Sequence, residues 1–312
     1  MYKPQILFRF GPRPSGFATV RQGIGRLRSG VQAIPPTGLL LLAMASIQIG
    51  AAIAKNLFVT LGTGGTVFLR VGFAAILLMI IWRPNLRQLK WSQYNGLLLL
   101  GLSIAGLNLA FYEAIARIPL GIAVTIEFIG PLGISLFGSR RWRDLIWVGL
   151  AATGIILLAP FDRASLDPIG VGFALLAGAC WAAYILFSVR VGQTLPGGSG
   201  LALAMSIAAL LIMPFGLFEG GTRLLNPSNL YLGLVVALLA SLIPFSLEYE
   251  ALKRIPARVF GVLMSLDPVV AVIVGFVILG EQLGLQSIIA ISCITLAAIG
   301  VTVFGTQRNE HH

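Results

Sequence analysis

Apolar residues in this chain gather into ten long runs, at about 37–57, 64–82, 95–113, 120–138, 144–161, 169–189, 200–218, 229–248, 259–280 and 284–305. A helix rising ~1.5 Å per residue crosses a hydrocarbon core of ~30 Å in about twenty residues, close to the length of these runs. None alternates polar and apolar positions with period two, which excludes a closed barrel. Each run is therefore predicted to be a membrane-spanning helix, the one open segment that satisfies its own backbone hydrogen bonds in lipid. The gaps are short and punctuated by Pro, Gly or Asn, as at Pro84-Asn85, Pro196-Gly197-Gly198 and Asn226-Pro227, so no extramembrane domain is expected.

Composition agrees: 57% of residues are hydrophobic and 11% charged, where soluble domains carry about 25% charged residues. A soluble enzyme, a disordered chain and a nucleic-acid-binding domain are all excluded on that ground. The net charge of +11 would otherwise suggest nucleic acid, but the basic residues sit in the gaps. One alternate set of gaps, together with both ends of the chain, carries 17 Lys and Arg, and the opposite set carries 3. That bias predicts a multi-pass membrane protein with both termini cytoplasmic. Residues 1–36 form a basic cytoplasmic arm with Lys3, Arg9, Arg13, Arg21, Arg26 and Arg28; its prolines and glycines suit an organellar transit peptide poorly. Cys180 and Cys293 fall inside apolar runs as small filler, and the only histidines are the last two residues, so neither metal nor histidine chemistry is implied.

Residues 111–119 read FYEAIARIP and residues 248–256 read EYEALKRIP, six matches in nine at an offset of 137 that also pairs Pro131 with Pro268. The chain is thus expected to be two halves, 37–160 and 169–305, with five spans each. Five is odd, so the second half enters from the opposite side and the repeat is inverted. Inverted repeats that rock about a central site characterise transporters. Pro131 and Pro268 mark the expected hinges or helix breaks in spans four and nine.

Charge inside a span is costly, ~2.5–3.5 kcal/mol or more for a carboxylate at the bilayer centre, and usually marks a pathway. Acids within or at the edges of spans include Glu113, Glu127, Glu248, Glu250, Asp267 and Glu281. Glu127 and Asp267 lie deepest, one helical turn apart in repeat register, and are the leading candidates for substrate or proton handling; their structural alternative is pairing with a buried Arg or Lys. Glu248 and Glu250 have Lys253 and Arg254 nearby as partners, Glu113 has Arg117, and Glu281 reads as an interfacial or helix-terminal residue. Among cations, Lys55 is able to snorkel outward, whereas Arg70 is too deep for that and suits an acid or a substrate carboxylate. Gln48, Asn108, Trp181 and Tyr184 are candidate pathway-lining residues, with helix packing as the plainer role. No G-x-x-x-x-G-K-[ST], H-E-x-x-H or C-x-x-C occurs, so the chain is not read as an enzyme and an ion gradient is the simplest energy source. No cofactor is implied.

The stretches AMASIQIGAAIAKNLF (43–58), PLGIAVTIEFIGPLGISLFGSRR (119–141), AGACWAAYILFS (177–188) and IPFSLEYEALKRIPARVFGVLMSLDPVVAVIVGFVILGE (243–281) resemble the EamA-type branch of the drug/metabolite transporter superfamily. The likeness runs over roughly 37–305. It implies a ten-helix inner-membrane efflux protein for small amino acids such as threonine and homoserine, working by alternating access in exchange for protons. It also implies functional acids at Glu127, Glu248, Asp267 and Glu281, whereas Glu113, Glu250 and the basic arm have no counterpart. Export of a different metabolite or drug is the alternative. A membrane enzyme or lipid-handling protein would need a nucleophile or metal-ligand cluster, which the sequence lacks.

Overall fold

A computed structural model describes residues 34–84, 89, 91–137, 146–147, 149–150, 153–154, 157, 167–195, 198–252, 263–282 and 284–305, and every regular element among them is helical. In chain order these are α1 (Pro36–Trp82), α2 (Trp91–Arg117), α3 (Leu120–Glu127), α4 (Ile129–Phe137), α5 (Pro168–Gly192), α6 (Ser199–Gly220), α7 (Pro227–Ala237), α8 (Ile243–Leu252), α9 (Asp267–Leu279) and α10 (Leu285–Gly305). They fall on the expected spans. The exception is the fifth, 144–161, of which seven residues are described, all helical; its other residues lie outside the described ones, as do the basic arm up to residue 33 and the first residues of the ninth. Four helical stretches, in α1, α2, α5 and α6–Leu225, are long and apolar enough to cross a membrane.

Local chemistry sets the helix ends. Pro36, Pro168 and Pro227 open their helices, where a missing N–H costs nothing, and the Asp167 and Asn226 side chains accept from the Ile169 and Ser228 amides at 2.9 and 3.0 Å. Gly280, with φ of 66°, closes α9 in the left-handed region.

α1 holds two expected spans in one element. Gly50 lies against Ala240, and Arg70 donates to the Ala240 carbonyl. A straight helix would separate residues 50 and 70 by ~30 Å, so the chain doubles back between them. The reversal is at Gly62, whose φ of 70° and ψ of 175° belong to a region open essentially to glycine alone. The loop expected at 58–63 is thus a single-residue turn. Glu219 holds it from α6, accepting the Gly64 amide at 2.7 Å.

Large apolar side chains face outward, Phe218 at 92% and Phe276 at 65% exposure among them, while the interior is rich in Ala51, Ala52, Ala174, Ala177, Ala202 and similar small residues. Between lipid-bathed helices no hydrophobic gain is available, so close backbone approach through small residues supplies the contact. α1 packs on α6, α7, α8 and α9; α2 on α5 and α6; α3 on α5 and α9. Span four is broken at Phe128, and the run expected as span eight contains a π-helical stretch, Leu238–Leu242, between α7 and α8.

A Cβ at residue 62 would fall on the Glu219 carboxylate as well as strain the backbone. Gly62→Ala is expected to destabilise the protein by about 1–3 kcal/mol, read as earlier thermal unfolding in detergent. Gly72→Ala, on the same helix with open space around it, should leave stability nearly unchanged.

Candidate functional site

Two helices are interrupted within their spans, and each interruption carries an acid. α3 ends at Glu127, Phe128 turns, and α4 resumes at Ile129. Ser265 and Leu266 form a turn, and α9 begins at Asp267 with Pro268 next. Pro131 falls in the first turn of α4, and it lacks the N–H that would bond back to the Glu127 carbonyl in a continuous helix, so the ladder is interrupted where the break lies. The first break is held by backbone contact: Gly178 of α5 lies under the Glu127 carbonyl, and a Cβ on either Gly130 or Gly178 would collide with the facing backbone.

Glu127 and Asp267 are 8% and 7% exposed. Carboxylates in apolar surroundings need donors or cations close by. Gln48 supplies one, its Nε2 donating to Asp267 Oδ1 at 3.0 Å. Arg70 and Asp267 are the charges that act on Glu127, and Asp267 acts also on Glu248 of α8. Glu248 in turn acts on Tyr184 of α5, and Glu127 on Cys180. The Trp181 ring meets Phe128 edge-on at 5.6 Å, beside the α3–α4 break. Gln48, Arg70, Glu127, Trp181, Tyr184, Glu248 and Asp267, spread over some 220 residues of sequence, thus lie around one polar centre drawn from α1, α3, α5, α8 and α9, with Gln48, Glu127 and Asp267 buried and the others half-buried.

Arg70 is held on two sides. Its Nη1 donates to the Tyr112 hydroxyl at 3.2 Å and Nη2 to the Ala240 carbonyl at 3.1 Å, with the guanidinium carbon 5.3 Å from the Tyr112 ring centroid. Nε is buried and has no partner among the described residues. Ala240 belongs to the π-helical stretch, whose displaced ladder frees carbonyl oxygens for side chains; the neighbouring Leu239 carbonyl accepts from Ser46 Oγ at 2.6 Å. Tyr112, Ser46 and this stretch were not among the sequence candidates. Tyr112 sits in the repeated FYEAIARIP segment, where its recurrence as Tyr249 was the available signal.

Lys55 is engaged elsewhere. Its Nζ lies 2.7 Å from Glu281 Oε1, while Glu281 Oε2 accepts the Leu120 amide at 2.8 Å, so one carboxylate joins α1, the end of α9 and the start of α3. An anion at a helix N-terminus is favourably placed. Packing is tight here: a Cβ on Gly121 would lie 2.5 Å from Val272. The same end of the bundle holds a second polar knot, in which Arg117 pairs with Glu113 and approaches Asp167 at 3.7 Å, and Thr63 donates to Glu113. Asn108 bonds its own helix at the Ile104 carbonyl. Glu250 belongs to α8, and Lys253 and Arg254 lie outside the described residues. Cys180 and Cys293 are free thiols, and among the described residues no cluster of His, Cys, Asp and Glu is arranged to hold a metal ion.

Residues 168–303 match the EamA-like transporter family. The chain is 43% identical over 277 residues to the threonine/homoserine exporter RhtA of Salmonella typhimurium (strain SL1344), spanning 88% of this chain and 93% of that protein. It is 42% identical over 277 residues to the exporter of the same name from Escherichia coli (strain K12), with the same coverage of 88% and 93%. A solved crystal structure superposes over 87% of this chain and 98% of its own with a TM-score of 0.53 at 18% identity, a likeness of fold.

The Lys55–Glu281 pair is half-shielded, with side chains 23% and 13% exposed. Lys55→Met and Glu281→Gln are each expected to cost about 1–3 kcal/mol by leaving a charged or polar partner unanswered. The double variant should cost less than the sum, and a double-mutant cycle on thermal unfolding measures that coupling. Additive losses would show that the pair does not act as a unit.

Proposed function

The chain belongs to the EamA-like transporter family, and we propose that it is an inner-membrane exporter of small amino acids, threonine and homoserine among them. The observation that carries this reading is a charge imbalance. Among the described residues, the buried Glu127 and Asp267 and the half-buried Glu248 gather at one centre with a single guanidinium, Arg70, acting there. Such a centre is completed by a cation, either the ammonium of a substrate or a proton. An amino acid brings that ammonium together with a carboxylate. Glu127 and Asp267 receive the first, and the unpartnered Nε of Arg70 receives the second.

The architecture proposed for this work is ten helices in two inverted five-helix halves, 37–160 and 169–305, with both termini cytoplasmic. In support, the break at Phe128 and the turn at Ser265 are separated by 137 residues, the offset of the FYEAIARIP and EYEALKRIP segments. Rocking of the halves would expose the acid centre to each side in turn. On the topology from the basic-residue bias, Lys55, Glu281, Leu120, Glu113 and Arg117 all sit at the outer end, where their contacts close the bundle. Binding a proton at the acid centre once the amino acid has left would restore its balance and drive the return.

Reconstituted protein should catalyse counterflow of labelled threonine, accelerated by an imposed pH gradient. Glu127→Gln and Asp267→Asn should each lower that exchange by roughly 10-fold or more, the factor that ~1.4 kcal/mol represents, while inserting normally in the membrane. Normal exchange by either variant would remove that residue from the pathway, and absence of threonine and homoserine exchange in the wild type would refute the substrate assignment.

A further inference from the structure

We propose that Gln48 reads a hydroxyl group on the substrate side chain, so that the carrier separates hydroxylated small amino acids from their apolar isosteres. This rests on the amino-acid reading above and concerns the same site.

Gln48 is 1% exposed. Its amide orientation follows from its partner: Asp267 Oδ1 accepts, so the NH₂ group faces it at 3.0 Å and the carbonyl oxygen faces away. That oxygen, Oε1, is buried and has no donor among the described residues. Buried acceptors are nearly always satisfied, and an exception calls for an explanation in the working cycle. A Leu or Met would fill the same volume with no such penalty.

The described residues leave a matching vacancy of the opposite kind at Arg70 Nε, a donor. Gln48 borders the acid centre through its bond to Asp267, and Arg70 through its field on Glu127. A zwitterionic substrate presents three kinds of polar group to these partners. Its carboxylate donates nothing and belongs at the Arg70 Nε. Its ammonium belongs at Glu127 and Asp267, because a charge-assisted bond to a carboxylate outcompetes one to a neutral amide oxygen. The donor left for Gln48 Oε1 is a side-chain hydroxyl. Both vacant atoms are closed over in this arrangement, so they engage the substrate as the two arms of α1 part around it.

An apolar pocket discriminates weakly against an isostere, whereas one that hydrogen-bonds a substrate hydroxyl strongly rejects the analogue without it. Two pairs of probes test this, threonine with valine and homoserine with norvaline, each differing by hydroxyl for methyl. Counterflow would be measured for wild type, Gln48→Met and Gln48→Leu. Wild type should favour the hydroxylated member of each pair. In both variants that preference should fall by roughly 10-fold or more, over and above any loss common to all four compounds from removing the donor to Asp267. An unchanged preference, or an equal loss for all four compounds in both variants, would overturn the assignment of Gln48 while leaving the amino-acid reading in place. A wild type that carries none of the four would overturn that reading and this one with it.

Discussion

A carboxylate taken out of water must be answered from within the protein, and the arrangement of this bundle follows from how completely each one is answered. Glu281 is answered in full: Lys55 supplies the opposite charge and the Leu120 amide fills the second oxygen. A group satisfied on both sides has nothing left to offer a ligand, so it acts as a joint between three elements. Glu127 and Asp267 are answered in part, the first by the Arg70 guanidinium and the second by one glutamine amide. Burial without full compensation is unfavourable, and it persists where function requires the unsatisfied state. The two classes of acid look alike in the sequence, and the completeness of their shells separates the joint from the proposed site.

Packing decides where the unsatisfied acids sit. A continuous helix would carry Glu127 past the centre on a rigid rod. The turn at Phe128 instead ends α3 at that residue, and Gly130 and Gly178 let α5 press backbone against backbone at the break. Small residues along the interior serve the same end elsewhere, because helices that meet over Ala and Gly have few interlocked side chains to disengage when they shift. The π-helical stretch at Leu238–Leu242 is the third device of this kind: it makes backbone carbonyls available to Ser46 and Arg70, tying both arms of α1 to one short segment between α7 and α8.

Much of this was legible in the residue pattern, for identifiable reasons. Runs of about twenty apolar residues have one structural outcome in a membrane, and α2, α5, α6 and α10 lie where the runs placed them. The deep acids stood out because charge is rare in such runs. Partnerships were not legible. Lys55 and Glu281 are 226 residues apart, and Gln48 and Asp267 are 219 apart; nothing local encodes their meeting. The hairpin at Gly62 was read as a loop because a reversal with a single left-handed residue leaves the flanking periodicity undisturbed. Tyr112 escaped notice because a tyrosine in an apolar run has the composition of core and reveals its hydroxyl's role only once Arg70 is beside it.

The proposed repeat shows why an inverted architecture can be read from sequence more readily than its chemistry. At the 137-residue offset the positions matching Gln48, Arg70, Glu127 and Asp267 are Ile185, Ile207, Met264 and Gly130. None keeps its polar group. What the offset preserves is backbone behaviour: a turn at Phe128 and again at Ser265, with a proline three residues on in each case. On the proposed rocking of two halves, each half needs an equivalent hinge, and the paired breaks would supply them. A small asymmetric substrate needs one ammonium site, one carboxylate site and one site for its side chain, and duplicating those across the axis would double the buried charge without binding anything more. In this reading symmetry belongs to the proposed scaffold, and the proposed site breaks it.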